Sequence, residues 1–81
     1  MFEGRTKSGF DFSIDENLRD DWEFAEMMED ESTVQVARYM LGAEQYKKLK
    51  AHVKGDAEKV SIKGMQNEIG DIIEQIQAIK N

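Results

Sequence analysis

The chain has 81 residues, a net charge of -6 and no cysteine. A chain of this length forms one domain with a modest core, since it buries only about 60–65% of the surface that it exposes when unfolded. Without cysteine, disulfides and thiolate metal sites are excluded, and apolar runs of no more than three residues exclude a membrane span. The first residues lack the apolar stretch of a signal peptide, which predicts a soluble cytoplasmic protein.

The N-terminal segment predicts a β-hairpin over residues 1–15. Phe10, Phe12 and Ile14 alternate with polar residues, a period of two with β-forming residues on one face. Residues 6–9 have the composition of a turn, and residues 2–5 can supply a partner strand. Because a two-stranded hairpin is not stable by itself, we expect its phenylalanine face to rest on helices.

Four helices are expected after the hairpin, at residues 17–30, 32–41, 43–54 and 61–80. The first begins after Asp15 or Asn17, either of which can cap it. Gly42 stops the second, and Gly55 ends the third with left-handed geometry. The predicted fold is therefore mainly α, an α+β class in which a short hairpin or strand packs on about four helices within a single domain, residues 1–81.

The last helix carries the clearest pattern in the chain. Its apolar residues are spaced alternately three and four apart, which places them on one stripe of an α-helix: Ile62, Met65, Ile69, Ile72, Ile76 and Ile79, widened by Ile73. The stripe needs an apolar partner surface, either the rest of this chain or another molecule. Five of its members are candidates for self-association or for binding a partner helix in a groove: Ile69, Ile72, Ile73, Ile76 and Ile79.

Trp22 and a pair of methionines are the other candidates for a protein-binding surface. We expect Trp22 to anchor the core against the strand of Phe10 and Phe12, the alternative being a hot spot in a protein interface. Met27 and Met28 are expected in the core as well, although such a pair can also form an adaptable apolar groove.

The charge is distributed unevenly along the chain. Residues 1–31 contain eleven acidic residues against three basic ones, which will repel a phosphate backbone. The basic residues within 47–54 have Tyr46 as their one aromatic neighbour in sequence, so a solvated helix face explains them better than an RNA site. No nucleic-acid partner and no membrane partner are expected.

The sequence contains no recognisable catalytic or metal-binding pattern. His52 is the only histidine and its neighbours in sequence are lysines, which favours a helix surface over a general base or metal ligand. The acids at Asp11 and Asp15 do not fit an EF-hand loop, because Phe12 and Ile14 stand where ligands or neutral turn residues are needed. We therefore expect no enzyme activity, no cofactor and no metal site.

Three short motifs occur in an order and spacing that resemble a known family. They are Gly9-Phe10-Asp11-Phe12-Ser13-Ile14-Asp15, Asp21-Trp22-Glu23 and Leu41-Gly42-Ala43-Glu44-Gln45-Tyr46. In this arrangement the chain resembles the small tail assembly chaperones of tailed bacteriophages and prophages of Gram-positive bacteria. The resemblance covers residues 7 to about 75.

The resemblance implies a non-catalytic function in the cytoplasm of a bacterial host. Tail assembly chaperones bind the long tape measure protein before the tail tube polymerises around it, and they keep its helices soluble. The implied partner is the tape measure protein or another phage tail protein, and a chain this small commonly forms a homo-oligomer as well. Two other functions stay open: a different structural, connector or adaptor protein of the phage, or an acidic inhibitor that mimics nucleic acid through residues 15–31.

Overall fold

The computed structural model describes residues 1–30 and 32–79. In chain order these residues form β1 (Phe2–Arg5), β2 (Asp11–Ile14), a 3-10 helix (Glu16–Asp20), α1 (Trp22–Glu29), α2 (Thr33–Lys54) and α3 (Ile62–Gln77). The prediction of a mainly α domain with an N-terminal hairpin is confirmed. The prediction of about four helices is wrong, because the described residues form three α-helices.

The two strands form the antiparallel hairpin that the alternating pattern predicts. Phe2 lies opposite Ile14, and Gly4 lies opposite Phe12. The ring of Phe12 packs closely against Gly4. A Cβ on residue 4 would lie 2.5 Å from Cζ of Phe12, so this position favours a residue without a side chain. Phe12 and Ile14 point into the core as expected.

Two glutamine side chains hold the outer edges of this hairpin. The backbone N–H of Ser13 donates to Oε1 of Gln45 at 2.7 Å, and Nε2 of Gln45 donates back to the carbonyl of Ser13 at 2.6 Å. On the other strand, Nε2 of Gln75 donates to the carbonyl of Arg5 at 2.9 Å. The hairpin is therefore bonded to α2 on one side and to α3 on the other.

The helix predicted over residues 17–30 is divided at Asp21. The side chain of Asp15 accepts from the N–H of Asn17 and caps the 3-10 helix. Asp21 has extended backbone (φ -105°, ψ 112°), and its side chain accepts from the N–H groups of Glu23 and Phe24 at the start of α1. A second capping residue inside the segment thus starts a second helix.

The predicted second and third helices form one element, α2, with a break in its backbone. At Gly42 the backbone has φ 79° and ψ 166°, outside helical geometry. A positive φ favours glycine, which has no Cβ to clash. Gly55, with φ 51°, ends α2 as predicted. Ser61 caps α3 by accepting from the N–H of Gly64 at 3.0 Å.

One hydrophobic core joins the hairpin to the helices. Its buried members come from the hairpin turn, β2, the 3-10 helix and all three α-helices: Phe10, Phe12, Ile14, Leu18, Phe24, Val36, Ala37, Met40, Leu41, Leu49, Ile69, Ile72 and Ile76. The phenylalanine face of the hairpin rests on helices, as predicted. Within the described ranges, no helix is long and apolar enough to cross a membrane.

Candidate functional site

The apolar stripe of α3 is divided between the core and an open edge. Three of the predicted interaction residues are buried in the core of the monomer: Ile69, Ile72 and Ile76. Ile73 is only partly buried, and Ile62 is 78% exposed. Ile79, predicted within a helix over residues 61–80, lies beyond the end of α3 at Gln77 and is also partly buried. The accessible part of the stripe therefore begins at Ile62 and continues through Ile73.

A groove follows this open edge between α3 and the helices that precede it. It consists of three neighbouring depressions of about 230, 280 and 500 Å³. Thr33 and Ile69 line both the first and the second depression, and Met28 lines both the second and the third. We call this feature the α3 groove. Its α3 side is formed by Ile62, Met65, Gln66, Ile69, Ile73 and Gln77.

The opposite side of the α3 groove comes from α1 and α2. Its main apolar side chains are Trp22, Met28, Val34, Val36 and Tyr46. From Ile62 to Gln77 the helix rises about 22 Å, at about 1.5 Å per residue. The groove is therefore long enough for about four turns of another α-helix.

Trp22 lies at one end of the α3 groove and is 75% exposed. The expectation that it anchors the core is wrong. Because Asp21 caps α1, Trp22 becomes the first residue of that helix, and Phe24 takes the buried position instead. Met27 and Met28 are partly buried against the core, and Met28 also lines the groove. The role of Trp22 as an interface hot spot stays a prediction.

The two ends of the α3 groove carry opposite charge. Glu26 and Glu29 line the depression that contains Trp22. At the other end Lys50 lines the depression that contains Ile62, with its Nζ 5.1 Å from the ring centre of Tyr46. An occupant of the groove thus meets carboxylates at one end and an ammonium group at the other.

A second cluster, which sequence reasoning did not find, surrounds the buried carboxylate of Glu68. Thr6 Oγ1 donates to Glu68 Oε1 at 2.8 Å, and Ser8 Oγ donates to the same oxygen at 2.7 Å. Ser8 Oγ also lies 2.9 Å from Nε2 of His52. The one signal in the sequence is the position of Glu68, a charged residue between the apolar positions Met65 and Ile69 of the stripe.

The cluster has the residue types of a hydrolytic triad but a different geometry. In a triad the carboxylate bonds the imidazole nitrogen that faces away from the serine, and so orients the ring. Here Glu68 Oε1 lies 4.0 Å from Nε2, the nitrogen that faces Ser8, and it bonds the serine itself. The cluster therefore ties the hairpin turn to α2 and α3. His52 lies exposed on α2, where the sequence placed it.

The remaining site chemistry and the comparisons with known proteins add no further candidate. Within residues 1–30 and 32–79, no group of three histidine, aspartate or glutamate side chains is placed to hold a metal ion. Comparison of the chain with family models, with curated proteins and with solved structures finds no match.

Proposed function

We propose that this chain is a non-catalytic tail assembly chaperone that holds an amphipathic helix of the tape measure protein in the α3 groove. The single observation that carries the binding role is an open apolar groove with Trp22 and Ile62 exposed at its ends. The phage context, and with it a location in the cytoplasm of a bacterial host, rests on the resemblance of the three sequence motifs.

The lining of the α3 groove supports binding of a helix rather than of a small polar ligand. A contiguous exposed apolar patch on a small protein marks a surface for association. A helix presents anchors at i, i+3, i+4 and i+7, a spacing that suits a groove about four turns long. Met28 provides an adaptable contact, and an exposed tryptophan such as Trp22 is a frequent interface hot spot.

The charge around the α3 groove supports a carrier that stays in solution while bound to an apolar client. The exposed face of α1 beside Trp22 carries Glu23, Glu26 and Glu29. A net charge far from zero favours solubility. We expect a modest affinity, so that the client can be passed on to the tail tube.

Co-expression with the tape measure protein of the same phage genome tests this proposal. We expect the tagged chain to raise the soluble yield of the client and to co-purify with it. Trp22→Asp and Ile62→Asp are expected to lose the client, because each places a charge in the groove. Both positions are more than 70% exposed, so neither substitution removes core packing.

Ala51→Asp is the matched control, since it adds the same charge at an exposed position of α2 outside the groove lining. A client that stays insoluble and unbound with the wild-type chain contradicts the chaperone proposal, and a search for the chain in purified virions then tests the connector alternative. Client retention by both groove variants would mean that the client binds elsewhere.

A further inference from the structure

We infer that, in the absence of a client, the α3 groove pairs with the α3 groove of a second copy of this chain in a two-fold, antiparallel dimer. This inference does not depend on the identity of the client. It rests on three features of the groove: apolar side chains exposed at both ends, a depression that can receive one of them, and opposite charge at the two ends.

The two exposed apolar side chains, those of Ile62 and Trp22, lie near opposite ends of α3. Ile62 begins α3, and Trp22 lies beside Gln77 at its end, about 22 Å away along the axis. A two-fold axis across the middle of α3, near Ile69, exchanges these ends. In such an isologous interface every contact occurs twice, so Trp22 of each copy meets the Ile62 end of the other.

The depression at the Ile62 end can receive the Trp22 ring of the second copy. It has a volume of about 230 Å³, and its apolar lining includes Val34, Tyr46 and Met65. Val34 is itself exposed in the monomer. Insertion of the ring covers apolar surface on both copies, which is the driving force for association.

Charge selects the antiparallel arrangement over the parallel one. An antiparallel pair brings Glu26 and Glu29 of one copy to Lys50 of the other, at both ends of the interface. A parallel pair would place carboxylates against carboxylates, and like charges across an interface are strongly unfavourable. The groove thus fits a second copy in one orientation.

The dimer is expected to be weak. The α3 groove is short and each copy carries a net charge of -6, so both area and overall charge limit the affinity. A weak dimer covers Trp22 until a client helix replaces the second copy. Dimer and client then compete for the same surface.

Self-association of the purified full-length chain, measured by sedimentation velocity over a concentration series without client, tests the inference. We expect a reversible monomer–dimer equilibrium. Glu26→Lys/Glu29→Lys makes both ends of the groove basic, and Lys50→Glu makes both ends acidic. Each variant alone is expected to associate at least about tenfold more weakly than the wild type. All three positions are exposed, so the substitutions do not disturb the core.

An equimolar mixture of the two charge variants provides the decisive observation. Each end of the basic variant then faces an end of the acidic one, so the mixture is expected to form a one-to-one heterodimer. Glu44→Lys and Lys47→Glu serve as controls, because they change the charge at exposed positions outside the groove lining. These controls should associate as the wild type does.

Three results would overturn the dimer: a wild-type chain that stays monomeric at every concentration, charge variants that associate like their controls, or a mixture that does not pair. None of these bears on client binding, which is measured separately by co-purification. A monomeric chain that still retains its client would leave the chaperone proposal standing.

Discussion

The hydroxyl of Tyr39 donates a hydrogen bond to Oδ2 of Asp21 at 2.5 Å. The other oxygen of this carboxylate accepts from the N–H groups of Glu23 and Phe24, at 2.9 and 3.3 Å. One side chain therefore caps α1 and ties it to α2. The bond from Tyr39, helped by the two backbone bonds, lowers the pKa of Asp21, and the bond to Asp21 raises the pKa of Tyr39.

This pair predicts a loss of stability at both ends of the pH range. The pKa of Asp21 in the folded chain lies below its ordinary 3.8. The ionised carboxylate therefore contributes to folding stability above pH 3.8, and this contribution is lost as the pH falls through the folded pKa. The pKa of Tyr39 in the folded chain lies above 10.0. The protonated phenol therefore contributes to folding stability below pH 10.0, and this contribution is lost as the pH rises through the folded pKa.

Tyr39→Phe should make the fall in stability at low pH and the fall at high pH both shallower, because it removes the hydrogen bond that shifts the two pKa values. The measurement is the urea midpoint of unfolding as a function of pH for the variant and the wild type. Tyr46→Phe is the control for the loss of a phenol elsewhere on α2. If Tyr39→Phe leaves both limbs unchanged, the bond does not contribute to the pH dependence.

The division of the α3 stripe predicts different costs for two isoleucines of one helix. Ile72 is fully buried, so Ile72→Ala should lower the free energy of unfolding by about 2–5 kcal/mol through lost contacts and a cavity. Ile62 is 78% exposed, and Ile62→Ala should change the free energy of unfolding by no more than about 0.5 kcal/mol. Denaturant unfolding followed by circular dichroism measures both. Equal effects would contradict this assignment of core and edge.

Two glycines predict opposite effects of the same substitution. A Cβ would find open space at both Gly42 and Gly70, so packing does not distinguish them. Gly42 has positive φ, and Gly42→Ala should destabilise the chain by about 1–3 kcal/mol through backbone strain. Gly70 lies within α3, where Gly70→Ala should stabilise by about 0.5–1 kcal/mol. Thermal or urea unfolding of both variants provides the comparison, and a stabilising Gly42→Ala would contradict the break in α2.

The carboxylate of Glu68 predicts a structural rather than a catalytic phenotype. Glu68→Ala removes the acceptor for the hydroxyls of Thr6 and Ser8, and should cost about 1–3 kcal/mol of stability because these groups lose a buried partner. Glu68→Gln keeps an acceptor and should cost less. Urea unfolding measures both. Hydrolysis of an activated ester that is lost in Ser8→Ala, with the fold intact, would show that the cluster is catalytic after all.

Local patterns in the sequence predict the elements whose cause is local. The alternation from Phe10 to Ile14 identifies the buried face of β2, and the stripe that starts at Ile62 identifies α3. Gly42 and Gly55 mark the break and the end of α2 because each requires positive φ. Residues close together in the sequence determine these features, so a single sequence is sufficient to predict them.

The exposure of Trp22 and the groove beside it depend on contacts between distant residues. Hydrophobicity places Trp22 in the core, but the cap at Asp21 gives the buried position to Phe24. The stripe on α3 does not reveal which of its members the other helices cover. The contact of Ser8 with His52 joins residues that are 44 positions apart in the sequence. Local patterns such as helical or strand periodicity do not predict a contact over that separation.

The pairing of Gln45 with Ser13 closes part of the outer edge of β2. An extended segment binds many proteins by adding a strand to an open sheet edge. At Ser13 that edge is closed, because the glutamine amide occupies both backbone groups that an incoming strand would use. The pairing leaves fewer free backbone groups on this edge with which a strand of another chain could pair. Strand addition is therefore blocked at Ser13, which agrees with the proposal that the client binds as a helix.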